Sequence, residues 1–140
     1  MGAIFVVKTA SQLKNIPEGN IAATDVQAAI NELDTEKISL TSYTTTSTAI
    51  LTPVLATANI WQLTAQAVDL TIAAPVGTPV LGEAIQILIK DNGTARAITW
   101  NAIFKTMGEA LKTTTTINKR MEAIASYDGT DWLTSTINEV

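Results

Sequence analysis

The sequence predicts a mainly β chain: an antiparallel β-sandwich or jelly roll preceded by a short amino-terminal arm and one α-helix. Three observations carry that expectation. Residues 41–89 are rich in Thr, Ala, Val, Ile and Leu, and their only charged side chains are Asp69 and Glu83. Such a stretch is too apolar for a disordered linker and suits strands whose faces are mostly covered. From about Tyr43 onward, apolar and polar residues alternate with the period of two expected of half-buried strands. Upstream, one segment shows the 3–4 spacing of an amphipathic helix. The chain therefore divides into an arm and helix over 1–42, suited to assembly or anchoring, and a β-sandwich domain over 43–140.

The arm comes first. Met1 to Val7 is short and apolar, lacks a basic leader and is followed at once by Lys8, so it reads as a strand or anchoring arm rather than a signal peptide. Val6 also stands where a myristoylation motif requires Ser or Thr. The helix is expected from about Asp25 to about Lys37. Thr24-Asp25-Val26-Gln27 has the form of a capping box, with Asp25 favouring the positive helix end. Val26, Ala29, Ile30 and Leu33 form a narrow apolar stripe, with Gln27, Asn31, Glu32, Asp34 and Glu36 largely outside it. Two uses fit the stripe equally, packing on the chain's own domain or forming a seam between identical copies, since so short a helix is marginal in water alone.

Strands are expected at Ile60–Ala65, Val68–Ile72, Ala84–Lys90 and Ala95–Trp100, the last two joined as a hairpin by Asp91-Asn92-Gly93. A second hairpin joins Met121–Tyr127 to Trp132–Ile137 through Asp128-Gly129-Thr130-Asp131. Pro53, Pro75, Pro79, Gly77 and Gly82 punctuate the remainder, and Thr113–Thr116 reads as an extended loop or edge strand. Short strands at this spacing suggest a sandwich or jelly roll.

Composition narrows the chemistry. Hydrophobic residues make up 46% of the 140 residues and charged ones 16%, against roughly 25% charged in ordinary soluble domains. No apolar run approaches the roughly 18 residues of a membrane span, so the surplus must be buried in protein, some of it between subunits. With neither Cys nor His, the chain has no disulfide framework, thiolate nucleophile, catalytic triad or imidazole metal site. A net charge of -4 argues against a nucleic-acid partner, because phosphate neutralisation needs clustered Lys and Arg.

No catalytic motif is legible, and neither a metal nor a cofactor is expected. Asp91, Asp128 and Asp131 are better explained by turn chemistry than as calcium ligands, because no loop has alternating acidic spacing. Glu83, Glu109 and Glu122 cannot be paired as acid and base from spacing alone. Among the tryptophans, Trp61 suits a strand, and Trp100 alternates in register with Ile98 and should point inward. Trp132, just after a turn, is the candidate for a partly exposed or intersubunit position.

Two stretches carry a resemblance. The segment Gly19-Asn20-Ile21-Ala22-Ala23-Thr24-Asp25-Val26-Gln27-Ala28-Ala29-Ile30-Asn31-Glu32-Leu33-Asp34-Thr35-Glu36-Lys37 closely resembles a helical segment recurring in tail-fibre and other structural proteins of tailed bacteriophages. Ile87-Leu88-Ile89-Lys90-Asp91-Asn92-Gly93-Thr94-Ala95-Arg96-Ala97-Ile98-Thr99-Trp100-Asn101-Ala102, with Tyr127-Asp128-Gly129-Thr130-Asp131-Trp132, is similar to a β-rich module of the same class of virion proteins. The resemblance implies a trimeric, non-enzymatic virion protein, assembled in the bacterial cytoplasm and displayed on the particle, in which Val26, Ile30 and Leu33 meet their symmetry mates.

Having no repeat array, collagen-like stretch or extended heptads, the chain departs from long fibre shafts. The first expectation is thus a homotrimeric capsid decoration, or cement, protein that contacts the major capsid protein or other virion proteins and stabilises the head. The alternative is a tail fibre or tail-tip protein that binds a host surface receptor such as a polysaccharide. A glycan-cleaving enzyme is a third, weaker reading.

Overall fold

The computed structural model describes residues 9–14, 16, 22–36 and 40–138, with side chains of 34–36 and 138 set aside. The chain forms two compact units, Met1–Ser39 and Leu40–Val140.

In the first unit, a 3-10 turn at Ala10–Gln12 precedes helix α1, Val26–Glu36. The helix lies where the 3–4 spacing placed it, but its cap differs. Asp25 Oδ1 accepts the Ala28 amide at 2.9 Å, so Asp25 is the N-cap, and the Gln27 side chain donates along the helix to Asn31 Oδ1 (3.1 Å) instead of reaching back. Asp is as good a cap as Thr, and its carboxylate adds attraction to the positive helix end. The preceding chain is tied to the helix as well. Glu32 accepts from the amides of Ala22 (2.9 Å) and Ala23 (2.9 Å), and the Val26 amide donates to the Leu13 carbonyl at 3.0 Å.

The second unit is mostly β. Its strands are β1 (Ser42–Thr45), β2 (Ile50–Leu51), β3 (Ile60–Gln66), β4 (Leu70–Ile72), β5 (Ala84–Asp91), β6 (Ile98–Trp100), β7 (Phe104–Thr106), β8 (Arg120–Tyr127) and β9 (Trp132–Asn138). Six strands form one sheet in the order β1-β3-β5-β8-β9-β7, and three form another in the order β2-β4-β6. Through β6 the chain alternates between the sheets, laying each strand beside the one two steps earlier. Period-two burial is clear in β5, where Ile85, Ile87, Ile89 and Asp91 are buried and the intervening residues are not. Leu51, Leu70, Ile72 and Ile98 of the smaller sheet join Trp61, Leu63, Ile87, Met121 and Trp132 of the larger in one hydrophobic cluster.

The expected antiparallel architecture is corrected by this pairing. The pairs β1–β3, β2–β4, β3–β5, β4–β6 and β7–β9 run parallel, whereas β5–β8 and β8–β9 are antiparallel. Alternation records which face of a strand is buried and carries no strand direction. Direction is set by the connections, and those from β1 to β3 and from β3 to β5 are long enough to cross over, each containing a strand of the other sheet.

The first expected hairpin fails for a related reason. Asp91 Oδ1 does accept the Gly93 amide (2.9 Å), and Gly93 takes φ +90, as a turn requires. Both edges of β5 are nevertheless occupied, by β3 and β8, so the chain leaves for the second sheet. Asp69 Oδ1 receives the Ala97 amide (3.0 Å), and Ala97 in turn accepts from Leu70 (2.9 Å), setting β6 parallel to β4. The second hairpin, β8–β9, forms as expected. Asp128 Oδ1 accepts the amides of Thr130 (2.9 Å) and Asp131 (2.8 Å) around Gly129, whose φ of +103 suits glycine. Within Thr113–Thr116, Thr114 forms an isolated antiparallel bridge with Ala97.

Candidate functional site

The expected interface residues fall into two sets. On α1, Val26 and Ala29 are half-buried, whereas Ile30 and Leu33 are 53% and 51% exposed. Glu32, on another side of the helix, is engaged by the Ala22 and Ala23 amides. Ile30 and Leu33 of the stripe are therefore exposed, Val26 and Ala29 are only half so, and Glu32 ties the helix to its own chain.

Trp132 does not belong with them. It is 1% exposed, packs 5.5 Å from the Tyr127 ring, and is opposite Phe104 and Tyr127 in the sheet. The intersubunit position expected for it is thus corrected. The turn ends before Trp132, and the side chain falls on the inward face of β9, where an indole fills the core. Trp61 is also buried and donates to the Ala58 carbonyl (3.1 Å). Trp100 is half-buried, meets Phe104 edge-on and donates to the Lys112 carbonyl (2.8 Å).

Four of the carboxylates considered as candidates make structural contacts. Asp128 closes the β8–β9 turn, and amide donation from Asp131 and Thr130 holds its carboxyl below the ordinary range. Glu83 accepts the Val80 amide (3.0 Å) and Glu122 pairs with the Gln86 amide across β5 and β8. Asp91 is buried. Desolvation pushes its carboxyl up, but the amides of Gly93 and Asn118, the Thr115 hydroxyl and the Arg96 charge together hold it below its ordinary value.

A feature not anticipated from the sequence is an open groove of about 480 Å³ at the β1 and β2 end of the sheets. Tyr43, Thr45, Ser47, Thr48, Thr52 and Thr57 supply hydroxyls, while Ile50, Leu51, Val54 and Trp61 supply apolar surface. Among the described residues, no charged side chain lines it. Tyr43 is tilted over Trp61 with ring centroids 5.0 Å apart, yet is 43% exposed while Trp61 is 3% exposed. The connection from β1 to β2 is fixed by Gln66, which is fully buried. Its amide donates to the carbonyls of Thr48 (2.6 Å) and Val68 (2.8 Å), and its Oε1 accepts the Thr48 amide (3.1 Å). The sequence signal for the groove was the run Thr41-Ser42-Tyr43-Thr44-Thr45-Thr46-Ser47-Thr48, which is legible as uncharged strand and loop but not as one wall of a groove.

Comparison with protein-family models, curated proteins and solved structures gives no match to this chain.

Proposed function

We propose that the chain is a non-enzymatic structural protein of a tailed-phage virion, a homotrimeric capsid decoration protein that stabilises the head. The observation that carries this reading is the exposed apolar pair Ile30 and Leu33 on α1, each about half exposed. A short helix that exposes such a pair gains most by meeting copies of itself around an axis. The resemblance of Gly19–Lys37 to a phage helical segment points the same way. In this reading the two sheets face each other as the layers of a wound sandwich, and the helix carries assembly.

Light scattering tests the trimer: three times the chain mass is expected, and a species near 14.9 kDa at micromolar concentration refutes it. Co-sedimentation with expanded capsids stripped of accessory proteins tests the position on the head. Binding to host cells without binding to capsids replaces this reading with the tail-fibre or tail-tip one, which the solvent-open groove favours.

A further inference from the structure

We propose that the groove between β1 and the segment 47–57 is a binding site for a neutral saccharide. The inference deepens the receptor-binding alternative, and it does not depend on the trimer, since every lining residue belongs to one chain's second unit. The groove's volume, about 480 Å³, is in the range of small-ligand sites. Its chemistry is selective. One aromatic ring, Tyr43, is presented to solvent and braced from beneath by Trp61. A sugar presents a face of C–H groups that such a ring can cover, and hydroxyls around its rim.

The hydroxyls decide between occupants. Among the described residues, the side-chain oxygens of Tyr43, Thr45, Thr52 and Thr57 make no hydrogen bond to the protein, so they are available to a ligand. Ser47 accepts the Ala67 amide (3.0 Å) and keeps its own proton to donate. An apolar strand added along β1 would cover these hydroxyls and leave them unpaired, which is costly. A polyhydroxylated ligand pairs with them instead. Because no charged side chain lines the groove among the described residues, an acidic or phosphorylated sugar would be desolvated there without a partner and is disfavoured.

The test is an amide-shift NMR titration of the 140-residue chain with maltotriose, cellotriose and triacetylchitotriose, each to about 20 mM, enough to reveal a site of roughly millimolar affinity. At least one is expected to shift resonances clustered within residues 43–61, and trigalacturonate to shift them more weakly. Tyr43→Ala should weaken binding about tenfold or more, the loss of one stacked ring. Thr52→Val is nearly isosteric, so it preserves the fold while removing one hydroxyl, and should weaken binding about fivefold. No shifts with any neutral trisaccharide, or unchanged affinity in both variants, overturns the proposal. So does a capped Thr-Val-Thr-Val-Thr peptide that shifts these residues when the sugars do not, an outcome that assigns the edge to strand addition.

Discussion

In the proposed trimer, replacing Ile30 with Asp should separate assembly from folding. Covering an Ile or Leu completely is worth about 1.5–3 kcal/mol, and Ile30 and Leu33 still expose 53% and 51% of their surface. A seam that covers the remainder gains roughly 1 kcal/mol per residue, hence about 2 per copy and about 6 per trimer. Bringing three copies together loses rotational and translational freedom twice, at about 4 kcal/mol or more each time. The stripe is thus a contributor that needs further surface beside it. Asp at position 30 forfeits the gain and places three carboxylates near the axis, where desolvation and repulsion add several kcal/mol.

A total of about 3 kcal/mol per copy, or about 9 per trimer, changes the dissociation constant by roughly a millionfold. The expected result by light scattering is a monomer at micromolar concentration with an unchanged far-ultraviolet β spectrum, while Gln27→Ala leaves the mass as it was. A trimeric Ile30→Asp protein refutes the helical seam. Loss of the β spectrum together with the trimer refutes the division of labour between the two units.

Gln66→Leu should lower stability by about 2–4 kcal/mol in urea unfolding, because it leaves the Thr48 amide and the carbonyls of Thr48 and Val68 without their buried partner. Trp132→Ala should cost about 3–5 kcal/mol as a core cavity, with the oligomer mass unchanged where the protein remains folded. Asp91 has a carboxyl lowered from its ordinary 3.8, so its stabilising contribution is fully present above that value and is lost as pH falls through the folded-state value. Acid titration of stability should therefore steepen below about pH 4, and Asp91→Asn should flatten the slope there. A variant with the same acid slope as the parent contradicts the assignment.

The parts of the fold legible in the sequence are those fixed by near neighbours. Helix α1 and the β8–β9 hairpin were readable because 3–4 spacing and the Asp128 turn act within a few residues. Strand positions were readable because burial of one face imposes period two. Pairing depends on which edge is free once the other strands are in place, and Asp91-Asn92-Gly93 shows the consequence. Its turn forms as its residues dictate, yet the following strand joins the other sheet because β3 and β8 flank β5. Trp132 was misplaced because adjacency to a turn says less about exposure than the face of the strand it begins. Ile30 and Leu33 were legible as an apolar stripe because a helix face is periodic. The groove was not, because its walls come from separate strands brought together by parallel winding.

The register across the larger sheet gives a reason why one end of it is suited to solvent and a polar ligand. One inward row runs Met121, Ile89, Leu63, Thr45, and the next runs Ala123, Ile87, Trp61, Tyr43. From β8 to β3 both rows are apolar; they become polar at β9, where Asn138 and Thr136 stand opposite Met121 and Ala123, and acquire a hydroxyl again at β1, the edge. The other end of the smaller sheet is treated differently. There the Thr113 carbonyl accepts the Ile98 amide (2.8 Å), Thr114 bridges Ala97, and half-buried Leu111 packs on the core. A simple unfinished core would continue each row with another aliphatic residue and would present a sticky edge. Thr45 and Tyr43 instead terminate the rows with groups that water or a sugar can satisfy. Substituting Thr45→Val and Thr52→Val together should therefore leave the fold intact but promote concentration-dependent association, measured by sedimentation velocity. A double variant that remains as dispersed as the parent would show that these hydroxyls do not keep the edge wetted.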